Sequence, residues 1–339
     1  WSVRMKMKRV VHFGPCRSPG GMSTVIQNLV DNPPPGWVAE EVSTHAESPL
    51  KMLREWHSAK KDLKFRIKAG RVDIAHIHVT HGLSWYRKRD IMRTCEKFNI
   101  PTVIHIHSGK FEKFCSGRVG KSVKRELSIP GRKTILLERR WVGMLSEWVP
   151  SSAVVIPNIS KPIGDRSKHR LRGAVRLLVL GRNSPVKKHD FCIEILERLD
   201  RSGIRAILSM TGLRENEVVE NSDLDIRCLG WVGEDRKAEL ISESDFLLSP
   251  SKYEGSSMSI IESMTSGLPC LVSKASKETV GIGSLVMDND PETWSKAIIG
   301  FLEASSYTKL TSEILEEAKK YSPIRNQSKM GEIYDSLAN

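Results

Sequence analysis

The chain has 339 residues, 39% apolar and 27% charged, with a formal net charge of +13. That balance belongs to a globular protein and excludes a low-complexity or disordered chain, and the length favours two domains. No apolar run approaches the length needed to span a bilayer, and the basic N-terminus lacks the apolar core of a secretory signal. The six cysteines (16, 95, 115, 192, 228 and 270) form no CxxC pair, so reduced cytosolic thiols are expected rather than a disulfide frame or zinc knuckle. Charge is lopsided: residues 1–170 carry +18 and the remainder −5. A basic first half asks for an anionic partner on one domain only, whether anionic lipid, a lipid-diphosphate sugar acceptor or nucleic acid.

In chain order, Arg9 to Phe13 reads as a strand, Gly14-Pro15 and Pro19-Gly20-Gly21 as a turn, and Met22, Val25, Ile26, Leu29 and Val30 as helical spacing. This opens a Rossmann-like half but is not GxGxxG, so a dinucleotide reading is weak. Residues 31–71 give a Pro-rich loop at 33–36 and a basic helix over 50–68, with Leu53, Trp56, Leu63 and Ile67 on one side. Such a helix can lie on a membrane surface. Val72 to His78 and Pro101 to His107 read as strands; alternation sets His105 and His107 on one face, and His76 with His78 on another. Histidines at these strand ends can hold a metal, but no acidic ligand accompanies them, and no metal is expected. Gly117 to Arg140 is dense in Lys and Arg, and Val154 to Asn158 is a late strand and turn.

Residues 161–173, with Pro162, Gly164 and Gly173, read as a linker between domains at 1–160 and 174–322. Val175 to Leu180 is a strand delivering GRNSPVKKHD, and a helix with Phe191, Ile195, Leu196 and Leu199 follows. Further strands are expected at 206–210 and 226–229. The central unit runs from Asp245 to Lys274: a buried strand at Phe246 to Leu248, a loop with Tyr253-Glu254-Gly255, and a helix. Met258, Ile261, Met264 and Leu268 form the apolar stripe of that helix; Ser256 or Ser257 can cap it, and Gly267 and Pro269 stop it. The loop opens at the carboxyl end of a parallel strand, where open α/β sheets bind ligands. The first-turn amides around Gly255, Ser256, Ser257, Met258 and Ser259 suit an anion, while Glu254 beside them suits sugar hydroxyls.

SPSKYEGSSMSIIESMTSGLPCLVS resembles the donor-sugar motif of retaining glycosyltransferases with the GT-B fold, glycosyltransferase family 4. GRNSPVKKHD resembles the family's diphosphate clamp, and IPTVIHIHSGKF a first-domain segment. The resemblance implies two Rossmann-like domains facing a central cleft, with a C-terminal helix (323–339) returning to the first domain. It implies that Glu254 contacts the transferred sugar, Glu262 holds the nucleotide ribose, and Arg182 and Lys187 hold the departing diphosphate. It further implies that His107 is the active-site histidine and that the Gly20-Gly21 backbone comes close to donor and acceptor. Thr211-Gly212-Leu213-Arg214 departs from the glycine-rich turn usual in the family.

The expected activity is transfer of a sugar, with retention, from a nucleotide-diphosphate sugar (UDP in preference to GDP) to a glycan or lipid-linked acceptor. No cofactor or metal is required, because fixed cations and helix amides supply the positive charge. The expected location is the inner face of the plasma membrane, held peripherally through the basic first domain. The alternatives are a metal-dependent hydrolase using the first-half histidines and a basic nucleic-acid binding protein. No nucleic-acid motif is present, and aromatics are not interleaved with the basic runs.

Overall fold

The computed structural model describes residues 7–18, 20–214 and 224–338; Pro19 of the expected Gly-Gly turn lies outside them. The chain divides into two compact units, Trp1–Ile159 with Ser322–Asn339, and Ser160–Tyr321.

The strands of the first unit are β1 (Lys8–Gly14), β2 (Trp37–Ser43), β3 (Ile74–Val79), β4 (Thr102–Ile106), β5 (Arg132–Leu136) and β6 (Val154–Val155). They pair in parallel in the order β2-β1-β3-β4-β5-β6. Parallel strands need crossover connections that cover both faces, so the inner strands are apolar or fully enclosed; every residue of β3 is buried. Phe13, Ile77, Trp85, Ile104 and Trp141 build the core, and truncating one of the aromatics to Ala would cost about 3–5 kcal/mol.

β2 has no counterpart in the expected strands. Its sequence WVAEEVS carries two glutamates, and they survive in a strand because β2 is an edge, where Glu40 meets Arg9 at 2.9 Å. The helix Pro49–Lys68 starts where Ser48 accepts from the Lys51 amide and Pro49 takes the first turn. Its buried residues are Ala59 and Leu63, whereas Leu53, expected on the packed side, is 48% exposed. Leu53 lies roughly 100° around the helix axis from the stripe that Ala59 and Leu63 define, so it faces away from the packed side. The helix Pro323–Ala338 packs within the first unit through buried Tyr334, whose ring lies 5.0 Å from that of Trp37.

The second unit contains β7 (Val175–Val179), β8 (Ala206–Met210), β9 (Asp225–Cys228), β10 (Phe246–Ser249), β11 (Cys270–Ser273) and β12 (Val286–Met287). These pair in parallel in the order β12-β11-β10-β7-β8-β9. The first strand, β7, is therefore flanked by β8 on one side and β10 on the other, and the topology switches direction there. Loops after such strands diverge and leave a crevice at their carboxyl ends.

Candidate functional site

The loop after β7 carries Arg182 and Lys187, and the loop after β10 carries Glu254. Lys187 Nζ lies 2.6 Å from Glu254 Oε1, and the Lys252 amide donates to the Val186 carbonyl at 2.9 Å. The structure thus joins two residues that are 67 positions apart. Arg182 is exposed, and among the described residues no acidic side chain pairs with it. Each loop holds a non-glycine residue in the left-handed region: Lys188 at φ 56° and Ser256 at φ 88°. Such conformations persist only where surrounding contacts enforce them.

The helix Met258–Thr265 begins beside Glu254. Met258, Ile260, Ile261 and Met264 are buried, fixing the helix on the sheet and aiming its free first-turn amides at the same loop. Ser257 occupies the N-cap position, as one of the two expected serines, but its side chain makes no capping bond; its Oγ meets Ser259 Oγ at 3.0 Å instead. Ser256 and Ser257 are buried, and Gly255 and Ser259 are half-buried.

Glu262 is 2% exposed, and Lys237 Nζ reaches its carboxylate at 3.0 Å. Burial raises the Glu262 pKa although Lys237 pulls the other way, while Glu262 and Glu234 outweigh burial and raise that of Lys237. The sequence reading missed Lys237, which sits in the helix Glu234–Glu243 with no motif around it. It also missed the function of Gly212. A Cβ there would lie 2.2 Å from the Gly181 carbonyl and 2.7 Å from Arg182 Cα, and φ is +79°. The adjacent Thr211 Oγ1 accepts from the Gly181 amide at 2.9 Å. The loop after β8 therefore braces the Arg182 loop with a residue that has no side chain, a device invisible without the sheet order.

In the first unit, Gly20 (φ 139°) and Gly21 open the helix Gly21–Asp31 after β1. His107 follows β4 and is half-buried. The histidines are not divided between two faces as expected. His12 pairs in register with His76, and His78 with His105, so paired side chains in these parallel strands share one side. His12 Nδ1 lies 3.0 Å from His78 Nε2, His78 Nδ1 lies 2.8 Å from His107 Nε2, and His76 Nε2 lies 3.2 Å from His105 Nδ1. Burial lowers all five pKa values, those of His12 and His107 to about 3. His81 stands outside this array and bonds Ser108 Oγ at 2.7 Å.

Both sheets carry the fold of GT-B glycosyltransferases. Sucrose-phosphate synthase from Thermosynechococcus elongatus superposes with a TM-score of 0.73 at 15% identity, covering 97% of this chain and 99% of that one. Anabaena HepE in complex with UDP and glucose gives 0.70 at 14%, covering 97% and 100%. Trehalose-6-phosphate synthase OtsA gives 0.68 at 11%, covering 97% and 99%. More particularly, residues 174–304 match the family model of glycosyl transferases group 1. The putative glycosyltransferase EpsF of Bacillus subtilis is 33% identical over 119 residues, 32% of this chain and 30% of that protein. The match thus spans under a third of that curated relative.

Proposed function

We propose that the chain is a retaining glycosyltransferase of family 4 that moves a sugar from a nucleotide-diphosphate sugar, UDP in preference to GDP, to a glycan or lipid-linked acceptor. The observation that carries this reading is the meeting of Lys187 and Glu254 at 2.6 Å across the switch point of the second sheet. A diphosphate leaving group gains negative charge as the glycosidic bond breaks, and Arg182 and Lys187 supply fixed positive charge for it. Glu254 and the amides of Gly255 to Ser259 orient the sugar, and Glu262, held by Lys237, accepts from the ribose hydroxyls. His107 and the Gly20-Gly21 backbone serve the acceptor side. The cations and amides do for the diphosphate what a metal ion does elsewhere, so transfer proceeds without one. The basic first unit holds the enzyme to the inner face of an anionic membrane.

The group 1 match of residues 174–304 and the UDP complexes of a structural neighbour support the donor class. A thermal-shift screen of UDP, GDP and ADP with their sugars tests it. A ligand at 100 times its Kd stabilises by about 2.7 kcal/mol, a shift of several degrees for a domain of this size. A shift with UDP compounds and none with ADP or GDP is expected; no shift with any of them would contradict the reading.

A further inference from the structure

The five-histidine array of the first unit includes His107, which the proposed function sets on the acceptor side, and its geometry has the connectivity of a metal centre. We propose that His78, His105 and His107 bind a late first-row divalent ion, zinc foremost, while His12 and His76 hold the outer nitrogens of two of the ligand rings.

One nitrogen from each of His78, His105 and His107 lies within 4.8 Å of the other two. His105 is 1% exposed, and its Nε2 is buried with no hydrogen-bond partner. A native interior rarely leaves such a nitrogen unanswered, and an ion is one of the few things that answers it. The outer nitrogens are already fixed. His78 Nε2 meets His12 Nδ1 at 3.0 Å, His105 Nδ1 meets His76 Nε2 at 3.2 Å, and His76 Nδ1 meets Tyr334 Oη at 2.7 Å. Metal-bound imidazoles require this second contact to set tautomer and ring orientation.

A consistent proton assignment follows: His78 Nε2–H donates to His12, His105 Nδ1–H donates to His76, and His76 Nδ1–H donates to Tyr334. That leaves lone pairs on His78 Nδ1, His105 Nε2 and His107 Nε2. Without an ion, His78 Nδ1 and His107 Nε2 share one proton at 2.8 Å. Two nitrogens each about 2.0–2.1 Å from a tetrahedral ion stand roughly 3.3 Å apart, so the pair opens by about half an ångström. Half-buried His107, just past the end of β4, is free to make that move. His12, His76 and His78 also cluster, but both nitrogens of His76 are committed to Tyr334 and His105, which disfavours that triad. An all-imidazole set selects zinc, cobalt, nickel or copper over magnesium and calcium and leaves a fourth position open.

The test needs no substrate, so its outcome is independent of the transferase reading. Tag-free full-length protein is stripped with a chelator and titrated with Co²⁺, followed by visible absorption, and then with Zn²⁺ by calorimetry. One Co²⁺ per chain with the intense bands of a four-coordinate site, bleached by zinc, is expected. His105→Leu and His107→Ala should each weaken zinc by about a hundredfold or more, and the outer-contact variant His12→Asn by about ten- to a hundredfold. His57→Ala, on the exposed side of the helix Pro49–Lys68, should bind as the native chain does. Circular dichroism of each metal-free variant checks folding; His107→Ala, at a half-buried strand end, keeps the test usable if His105→Leu does not fold. Absence of the cobalt bands in the native chain, or native zinc affinity in folded His107→Ala, would overturn the proposal.

Discussion

Lys187 and Glu254 form an ion pair at 2.6 Å between the loops that leave two neighbouring strands, with the glutamate side chain 11% exposed. A diphosphate arriving at Lys187 has to share that ammonium with Glu254. The two glutamates of the central motif therefore differ in kind: on the proposed reading Glu254 competes with phosphate for a cation, whereas buried Glu262 is held by Lys237, which also pairs with Glu234 at 2.7 Å.

Glu254→Ala should leave the affinity for bare UDP nearly intact, or slightly improved, while impairing transfer of the sugar. Glu262→Ala should weaken UDP itself by about 1–3 kcal/mol, the scale of a lost charged hydrogen bond. Calorimetric titration of UDP into both variants separates the roles. A larger loss in Glu254→Ala than in Glu262→Ala would mean that they are reversed.

Removing Lys237 strands a buried carboxylate. Lys237→Met should cost about 3–5 kcal/mol of stability at pH 8. Burial raises the Glu262 pKa, so the folded state binds a proton more readily than the unfolded state, and stability falls as pH rises through the folded value. The deficit should therefore shrink toward pH 5. Urea unfolding at both pH values checks this, and an equal deficit at the two would count against a buried charge as the cause.

Lys88 is 2% exposed, and among the described residues its ammonium donates to Ser84 Oγ alone, at 3.5 Å. Burial first, then Arg87, lower its pKa to about 7, with Cys16 opposing. Between that value and the unfolded one, the unfolded chain holds the extra proton, so this lysine makes stability rise with pH across the interval and costs most below it. Lys88→Met should stabilise the protein by about 2–4 kcal/mol at pH 6, with the gain fading toward pH 10. A gain independent of pH would point to packing rather than charge.

Much of this was readable from spacing alone. The stripe Met258, Ile261, Met264 and Leu268 predicts the buried face of the central helix, and all four are buried. Chain order could not reveal that β7 lies between β8 and β10, so the contact of Gly212 with the Arg182 loop and the meeting of Lys187 with Glu254 waited for the sheet. β2 escaped because an edge strand tolerates the glutamates that break an apolar pattern. His12 escaped because a lone histidine in an apolar strand carries no signal until its register with His76 is known.

Among the described residues, no helix is long and apolar enough to cross a membrane. Exposed Lys61, Lys64, Lys121, Lys124 and Arg125 accompany exposed Leu50, Leu53 and Phe65 on the first unit. Lys60 is withdrawn from such a surface by Asp90 at 2.7 Å. Each Lys or Arg beside an anionic leaflet contributes about 1 kcal/mol, screened by salt. Co-sedimentation with anionic vesicles at low salt, lost at high salt and with neutral lipid, is expected. Binding indifferent to lipid charge, or none, would remove the membrane assignment and leave the transferase reading standing.

The central claim, that the loop after β7 stabilises a departing nucleoside diphosphate, is tested most directly by turnover of the preferred nucleotide sugar. Release of the free nucleoside diphosphate is followed for the native chain, Arg182→Ala and Lys187→Ala under the same conditions. Each variant should fall by about two to three orders of magnitude, the scale for removing one preorganised charge partner, with its melting temperature nearly unchanged. Native turnover in both would contradict the account.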